Sequence, residues 1–497
     1  MSPRSAPAPP HNARDRCLVR TGGSASAPAG LRDRTSWHLA ANAPVAAWLV
    51  ALLAVALLRP FLAEARWLLA HLLLLGAVTN AIFVWSAHFA DAMLRRRATT
   101  GSRRWQAARI ITLNAGILAA VAGMTGALWL LTLAGSVLVG AAAAAHGITL
   151  ARQARAALPS RFGPTVHYYV VASLALPIGA GLGASLALDP AEPWHGRLVV
   201  AHITLNLLGW IGLTVLGTLV TLWPTMLRTR IAGGAERVAR QALPILAGSV
   251  VVAVTGSLSG LQWLAAGGVA AYLGGVLWAV RPLAEVARAK RPSAYATWSV
   301  MAAVLWLIGT LAALVAVLAL SPTWLLVTHH LGLLVVPLAA GFAAQVLLGA
   351  MSFLVPVVLG GGPTILRGTQ ARMDRGGALR AVLINAGLLA WIALRSLRAP
   401  GRDDGIPLAV LVLGAFAAFL PLLVSAVRYA VSARRAVAAG EAVAAGRQGP
   451  VSRTARPQHV PEPVAVTTRR HTRQAVLAVL AVALVFLAVA LGTVLVP

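Results

Sequence analysis

Cysteine is all but missing: Cys17 is the single one in 497 residues. A disulfide within the chain, an iron-sulfur cluster held by thiolates and covalent haem attachment through Cys-x-x-Cys-His are thereby excluded. Acidic residues are scarce too, 13 Asp and Glu against 42 Lys and Arg, and none sits in the middle of a long apolar run. That argues against a carboxylate proton relay and against a cation-coupled transporter, both of which need acidic groups inside the membrane. Charged residues of all kinds make up 11% of the chain, far below the roughly 25% of soluble domains. In their place stand long apolar blocks, 59% hydrophobic residues and a mean hydropathy of +0.78. The formal charge of +29 has no compact basic domain or base-stacking aromatic set around it, so nucleic acid is not the expected partner. The lipid bilayer is.

Crossing about 30 Å of hydrocarbon takes roughly 20 apolar residues. On that measure the sequence predicts an all-α integral membrane protein of about thirteen helices, among them Ala43–Leu58, Trp67–Met93, Ala127–Leu150, Leu198–Trp223, Leu243–Val254, Trp324–Leu359 and Ala475–Val496. Residues 1–42, rich in Pro, Ala, Ser and Arg and without a signal-peptide core, read as a disordered cytoplasmic tail. Residues 43–432 hold twelve spans, 433–474 form a basic cytoplasmic linker, and 475–497 carry the last helix. Arginine sets the orientation, because cytoplasmic loops are enriched in Lys and Arg. Arg95, Arg96, Arg97, Arg103 and Arg104 follow the second helix and Arg228, Arg230, Arg237 and Arg240 the sixth, whereas connections after odd-numbered helices are short and nearly neutral. The expectation is a multi-pass protein of the plasma membrane with its N-terminus in the cytoplasm and its C-terminus outside.

Compared with itself at a shift of about 132 residues, the chain repeats. Met93-Leu94-Arg95 ends the second helix and Met226-Leu227-Arg228 the sixth; Gly217 to Pro224 in the sixth matches Gly349 to Pro356 in the tenth. Arg109 with Asn114-Ala115-Gly116 in the third helix matches Arg380 with Asn385-Ala386-Gly387 in the eleventh. The expectation is three four-helix pseudo-repeats plus one C-terminal helix.

With carboxylates absent, histidine is the ionisable residue left inside the apolar runs. His71, His202, and the pair His329 and His330 lie one to two turns inside the second, sixth and tenth helices, at similar depth. A lone histidine near an interface is ordinarily satisfied by head groups or a neighbouring helix. Three helices carrying one at similar depth, each the second helix of a repeat though offset within it (His71 corresponds to Thr204, His330 to Leu198), suggest ligands instead, since neutral imidazole binds iron and copper and two facing imidazoles can clamp a haem iron. His195 reads as a loop residue, His167 and His146 as solvated helix ends, and His88 as an anchor or a second site. Asn80, Asn114, Asn385, Asn206 and Gln345 are intramembrane amides of the kind that hold helices together.

Twelve helices in three units, histidines on the second, sixth and tenth, the stretch from His71 through Asn80 to Trp85-Ser-Ala-His-Phe-Ala-Asp, and the His329-His330 helix resemble the haem-copper oxidase subunit I superfamily and its NnrS-like branch. They are similar in particular to the membrane half of actinobacterial copper oxidase proteins with a fused cupredoxin domain. The resemblance implies haem b, with His71 and either His330 or His329 as cofactor ligands, and copper at His202. It implies electron transfer, or chemistry of nitric oxide or copper, near the outer face. A separate extracytoplasmic cupredoxin or nitrite reductase-like protein is the implied partner. The chain departs from the oxidases in lacking histidine in Leu243–Val254, in having a contiguous pair in the tenth helix, and in placing Asn206 four residues after His202. A non-redox permease or copper-handling protein, and a relative that keeps the scaffold without the cofactor, stand as alternatives.

Overall fold

The computed structural model describes residues 29–62, 64–96, 98–397 and 406–447, all α- or π-helices, short 3-10 turns and loops. Twelve helices among them are long and apolar enough to cross a membrane: α1 (Ser36–Phe61), α2 (Ala65–Met93), α3 (Thr100–Thr125), α4 (Trp129–Ala156), α5 (Gly163–Leu186), α6 (Trp194–Met226), α7 (Ala235–Ser259), α8 (Gln262–Ala289), α9 (Tyr295–Leu320), α10 (Trp324–Leu359), α11 (Pro363–Arg395) and α12 (Leu408–Ala439). Each coincides with an apolar block of the sequence; the predicted helix Ala475–Val496 lies outside the described residues. The helix that carries α1 starts at Ala29, inside the stretch predicted as tail, and the one that carries α12 runs on to Arg447, into the predicted linker. Within 433–447 alanine outnumbers the polar residues and supports helix past the apolar run.

Local chemistry sets several ends. Thr99 and Ser102 form a reciprocal capping box at the start of α3. Gly234 and Gly260, both with left-handed φ, bracket α7. Asp374 Oδ1, in the turn within α11, accepts the backbone N–H of Tyr295 at 2.6 Å and so caps α9 from another helix.

Burial sorts the helices into a centre and a rim. The apolar windows of α2, α6 and α10 are 67, 72 and 56% buried, and those of α1 and α12 only 22%. Their aromatic residues Phe83, Trp210 and Phe342 are among the largest fully buried side chains. Each of these central helices also contains a π-helical stretch: Leu72–Val78, Thr204–Gly212 and Pro337–Ala344. The stretches begin 132 and 133 residues apart, the spacing at which the sequence repeats. Wide turns of this kind are rare and gather at functional sites.

Lipid tails are as apolar as leucine, so helices in a bilayer associate through close packing and hydrogen bonds rather than hydrophobic burial. The α3–α4 hairpin shows this at Gly123 and Gly135, where a Cβ would lie 2.9 Å from the carbonyl carbon of Leu131 and 2.8 Å from Ala120 Cα. The α7–α8 hairpin repeats the crossing 133 residues on, with Gly256 against the carbonyl carbon of Leu264 at 2.8 Å and Gly268 against Ala253 Cα at 2.7 Å.

Amides lock the rim to the centre. Trp48 Nε1 of α1 donates to Asn114 Oδ1 of α3 at 2.7 Å, and Asn114 exchanges side-chain bonds with Asn80 of α2 at 2.8 and 3.2 Å. Trp306 Nε1 of α9 donates to Asn385 Oδ1 of α11, also at 2.7 Å, and Asn385 exchanges bonds with Gln345 of α10 at 3.0 and 3.1 Å. In both copies the tryptophan packs over a glycine of the π-helical stretch, Gly76 or Gly341, and the central amide returns to that glycine's carbonyl at 2.8 Å.

Candidate functional site

His71 is the last residue before the first π-helical stretch, and His202 stands two residues before the second. Their ring centres lie 6.3 Å apart with a 34° tilt. His71 Nδ1 is 2.9 Å from Trp67 O, one turn back, and its ring stacks on the Trp67 indole at 4.0 Å. His202 Nδ1 is 2.9 Å from Gly179 O of α5. A carbonyl oxygen only accepts, so in both residues Nδ1 carries the hydrogen and Nε2 keeps its lone pair.

Asn206 completes the surroundings. Its Nδ2 donates to His202 O at 2.9 Å and lies 3.2 Å from Nδ1 and 3.5 Å from Nε2 of the imidazole. Its Oδ1 is buried and has no hydrogen-bond partner among the described residues. Gly183 leaves the other flank open: a Cβ there would meet His202 Cε1 at 3.0 Å. Two imidazole nitrogens and an amide oxygen without a partner thus occur together in an otherwise apolar region, a donor set suited to a borderline or soft transition metal.

The tenth helix contributes less directly. His330 Nδ1 lies 3.2 Å from Ser321 Oγ, and His329 is exposed and in edge contact with His330 at 5.8 Å. Among the described residues no ring contact joins either of them to His71 or His202. The start of α10 does back onto α6, where Gly196 faces Trp324 O and Thr328 Oγ1. No group of three or more His, Cys, Asp and Glu among the described residues is gathered as a metal cage.

At the other end of α2, His88 meets His38 of α1 edge-on at 4.8 Å, and His38 is buried beside Trp85. Asn42 Oδ1 accepts the Trp85 indole N–H at 3.1 Å. His38, in the stretch predicted as tail, therefore belongs to the packed bundle. His146 departs from its reading as a solvated helix end. It is 1% exposed, stacks on Phe83 at 4.6 Å and holds Ser86 Oγ at 2.8 Å through Nε2. The reason is length: α4 continues to Ala156, which sets His146 more than two turns inside the helix. His195, read as a loop residue, lies instead in the first turn of α6, 3.9 Å from Asp189, and His167 is exposed near the start of α5.

No protein-family model matches the sequence, and no curated protein matches it.

Proposed function

We propose that this chain is a membrane redox protein of the haem-copper oxidase subunit I kind that holds a metal between His71 and His202. The ring spacing carries this reading. Two imidazoles bound on opposite sides of one ion through bonds of about 2 Å place their ring centres roughly 6 Å apart, and those of His71 and His202 are 6.3 Å apart. Both Nδ1 atoms are already tied to backbone carbonyls, the outer-shell arrangement that fixes a ligating histidine and raises the basicity of Nε2. The residues fit the iron of haem b, which when bound exchanges single electrons. His71 and His202 would hold the group through Nε2, with the Trp67 indole against one imidazole and Asn206 Oδ1 an acceptor beside the other. The reading favours His71 with His202 over His71 with His330 or His329, because only the first pair meets.

A bare copper ion is the second reading. It is favoured by how closely the Trp67 indole and the Asn206 amide enclose the two rings, at 4.0 and 3.2 Å. In this version the chain handles copper or passes electrons through it, and the lone pairs on Nε2 serve as its two soft-metal donors.

The architecture proposed with this function is three four-helix units followed by a thirteenth span. Recurring π-helical stretches, the two Trp-Asn-amide locks and the two glycine crossings support it. The arginine distribution supports a cytoplasmic N-terminus in the plasma membrane, with the histidine pair toward the outer face and an extracytoplasmic cupredoxin or nitrite reductase-like partner within reach.

The test is an optical spectrum and metal analysis of the protein purified from cells supplied with haem and copper. A Soret band, or stoichiometric copper without one, that His71→Ala and His202→Ala each abolish distinguishes the two versions. Absence of both signals from the intact protein overturns the reading.

A further inference from the structure

Among the described residues the rim of the bundle has a seam. A cavity of about 130 Å³ opens between the start of α1, the end of α10 and the middle of α12, its walls including Ala46, Leu49, Val355, Leu423 and Val427 and its polar end His38 and Asn42. The two helices that flank it, α1 and α12, are the least covered of the twelve, 22% buried in each apolar window against 28 to 72% in the other ten. An apolar volume of roughly this size holds a benzene ring, so it admits one large apolar side chain but not a helix backbone.

We propose that the occupant is the chain's own apolar stretch Ala475–Val496, lying along the seam between α1 and α12. The helix that carries α12 ends at Arg447, so residues 448–474 tether the stretch to one wall of the seam. That tether spans at most about 3.3–3.6 Å per residue, ample for the distance, and it makes the encounter intramolecular, which raises the effective concentration far above that of any free partner. Composition fits as well. Small residues let membrane helices approach closely, and Ala475, Ala478 and Ala481 recur at helical spacing at the start of the stretch, opposite Ala43 and Ala46 of α1. Leu477 and Leu480, interleaved with those alanines, supply the side chain that the hollow accepts. The inference rests on reading Ala475–Val496 as a membrane span and is independent of the metal.

Disulfide trapping in the full-length chain tests it. Cys17→Ser removes the native thiol. On that background Ala46→Cys is paired with single cysteines from Val476 to Ala483, and Val427→Cys with Leu477→Cys forms a second, independent pair. Leu118→Cys, on the exposed face of α3, provides the control partner. Mild oxidation is expected to give a cross-link within one chain, at least about tenfold above the control, at one helical face of the scan. A cross-link between two chains assigns the seam to a second copy and overturns the proposal. Yields no higher than the control assign it to lipid and overturn it equally.

Discussion

Asn114 and Asn385 hold the same post in two copies of one network, each accepting a tryptophan indole N–H at 2.7 Å while trading bonds with an amide on a central helix. Removing either asparagine side chain takes the acceptor from an indole N–H and the donor from the oxygen of Asn80 or Gln345, whose own nitrogen keeps its bond to a glycine carbonyl. Asn114→Ala and Asn385→Ala are each expected to cost about 1–2 kcal/mol. The cost of Asn80→Ala combined with Asn114→Ala falls short of the sum by about 0.5 kcal/mol or more, because the two residues share their bonds. Thermal unfolding of the detergent-solubilised variants measures both quantities.

The histidine pair makes a different prediction. On the proposed metal reading, His71→Ala and His202→Ala are each expected to lower metal occupancy by more than tenfold, and Asn206→Ala, which alters only the surroundings, to lower affinity by roughly tenfold. His329→Ala leaves occupancy unchanged, since that side chain is exposed and its ring contact among the described residues is with His330. Metal content per protein, with the absorption spectrum, reads all four variants.

Glycines 267 and 268 separate packing from composition. Gly268 abuts Ala253 of the facing helix, while a Cβ at Gly267 meets nothing within 4 Å. Gly268→Leu is expected to force the α7–α8 hairpin apart, abolishing a monodisperse chromatographic peak; Gly267→Leu keeps it. Gly135→Leu behaves as Gly268→Leu does, because the α3–α4 hairpin crosses in the same way.

Ser86 and His146 test the accounting of buried polar groups. Ser86 Oγ donates to Ile82 O at 2.5 Å, so His146 Nε2 must donate to Ser86, and His146 Nδ1 is then buried with no partner among the described residues. Ser86→Ala strands the Nε2 hydrogen and costs about 1–3 kcal/mol. Adding His146→Leu removes the stranded group and recovers most of that loss. Unfolding temperatures of the single and double variants decide it.

The helices themselves were legible because a bilayer demands long apolar runs, and every described span overlies one. Their ends were less so. His146 was misjudged by depth, since α4 runs on past its apolar block to Ala156, and the stretch holding His38 was read as tail although helix starts at Ala29. The Asn114 and Asn385 motif was visible as a repeat, but Gln345 as the partner of Asn385 was not, because an amide pair on two helices leaves no spacing in the sequence. The glycine crossings at Gly123, Gly135, Gly256 and Gly268 carry the repeat shift openly, yet 46 glycines in the chain bury such a signal. Equal depth nominated His71 and His202; that their rings meet depends on how α2 and α6 turn about their axes, which only the packed bundle fixes.

The wide winding of Leu72–Val78 has a mechanical meaning for that meeting. Each residue inserted into or deleted from a helix rotates everything beyond it by about 100°. The stretch therefore works as a phase adjuster, letting one rod aim His71 at α6 and Asn80 at α3 simultaneously. A chain shortened by a single residue there could satisfy one of those neighbours only by abandoning the other.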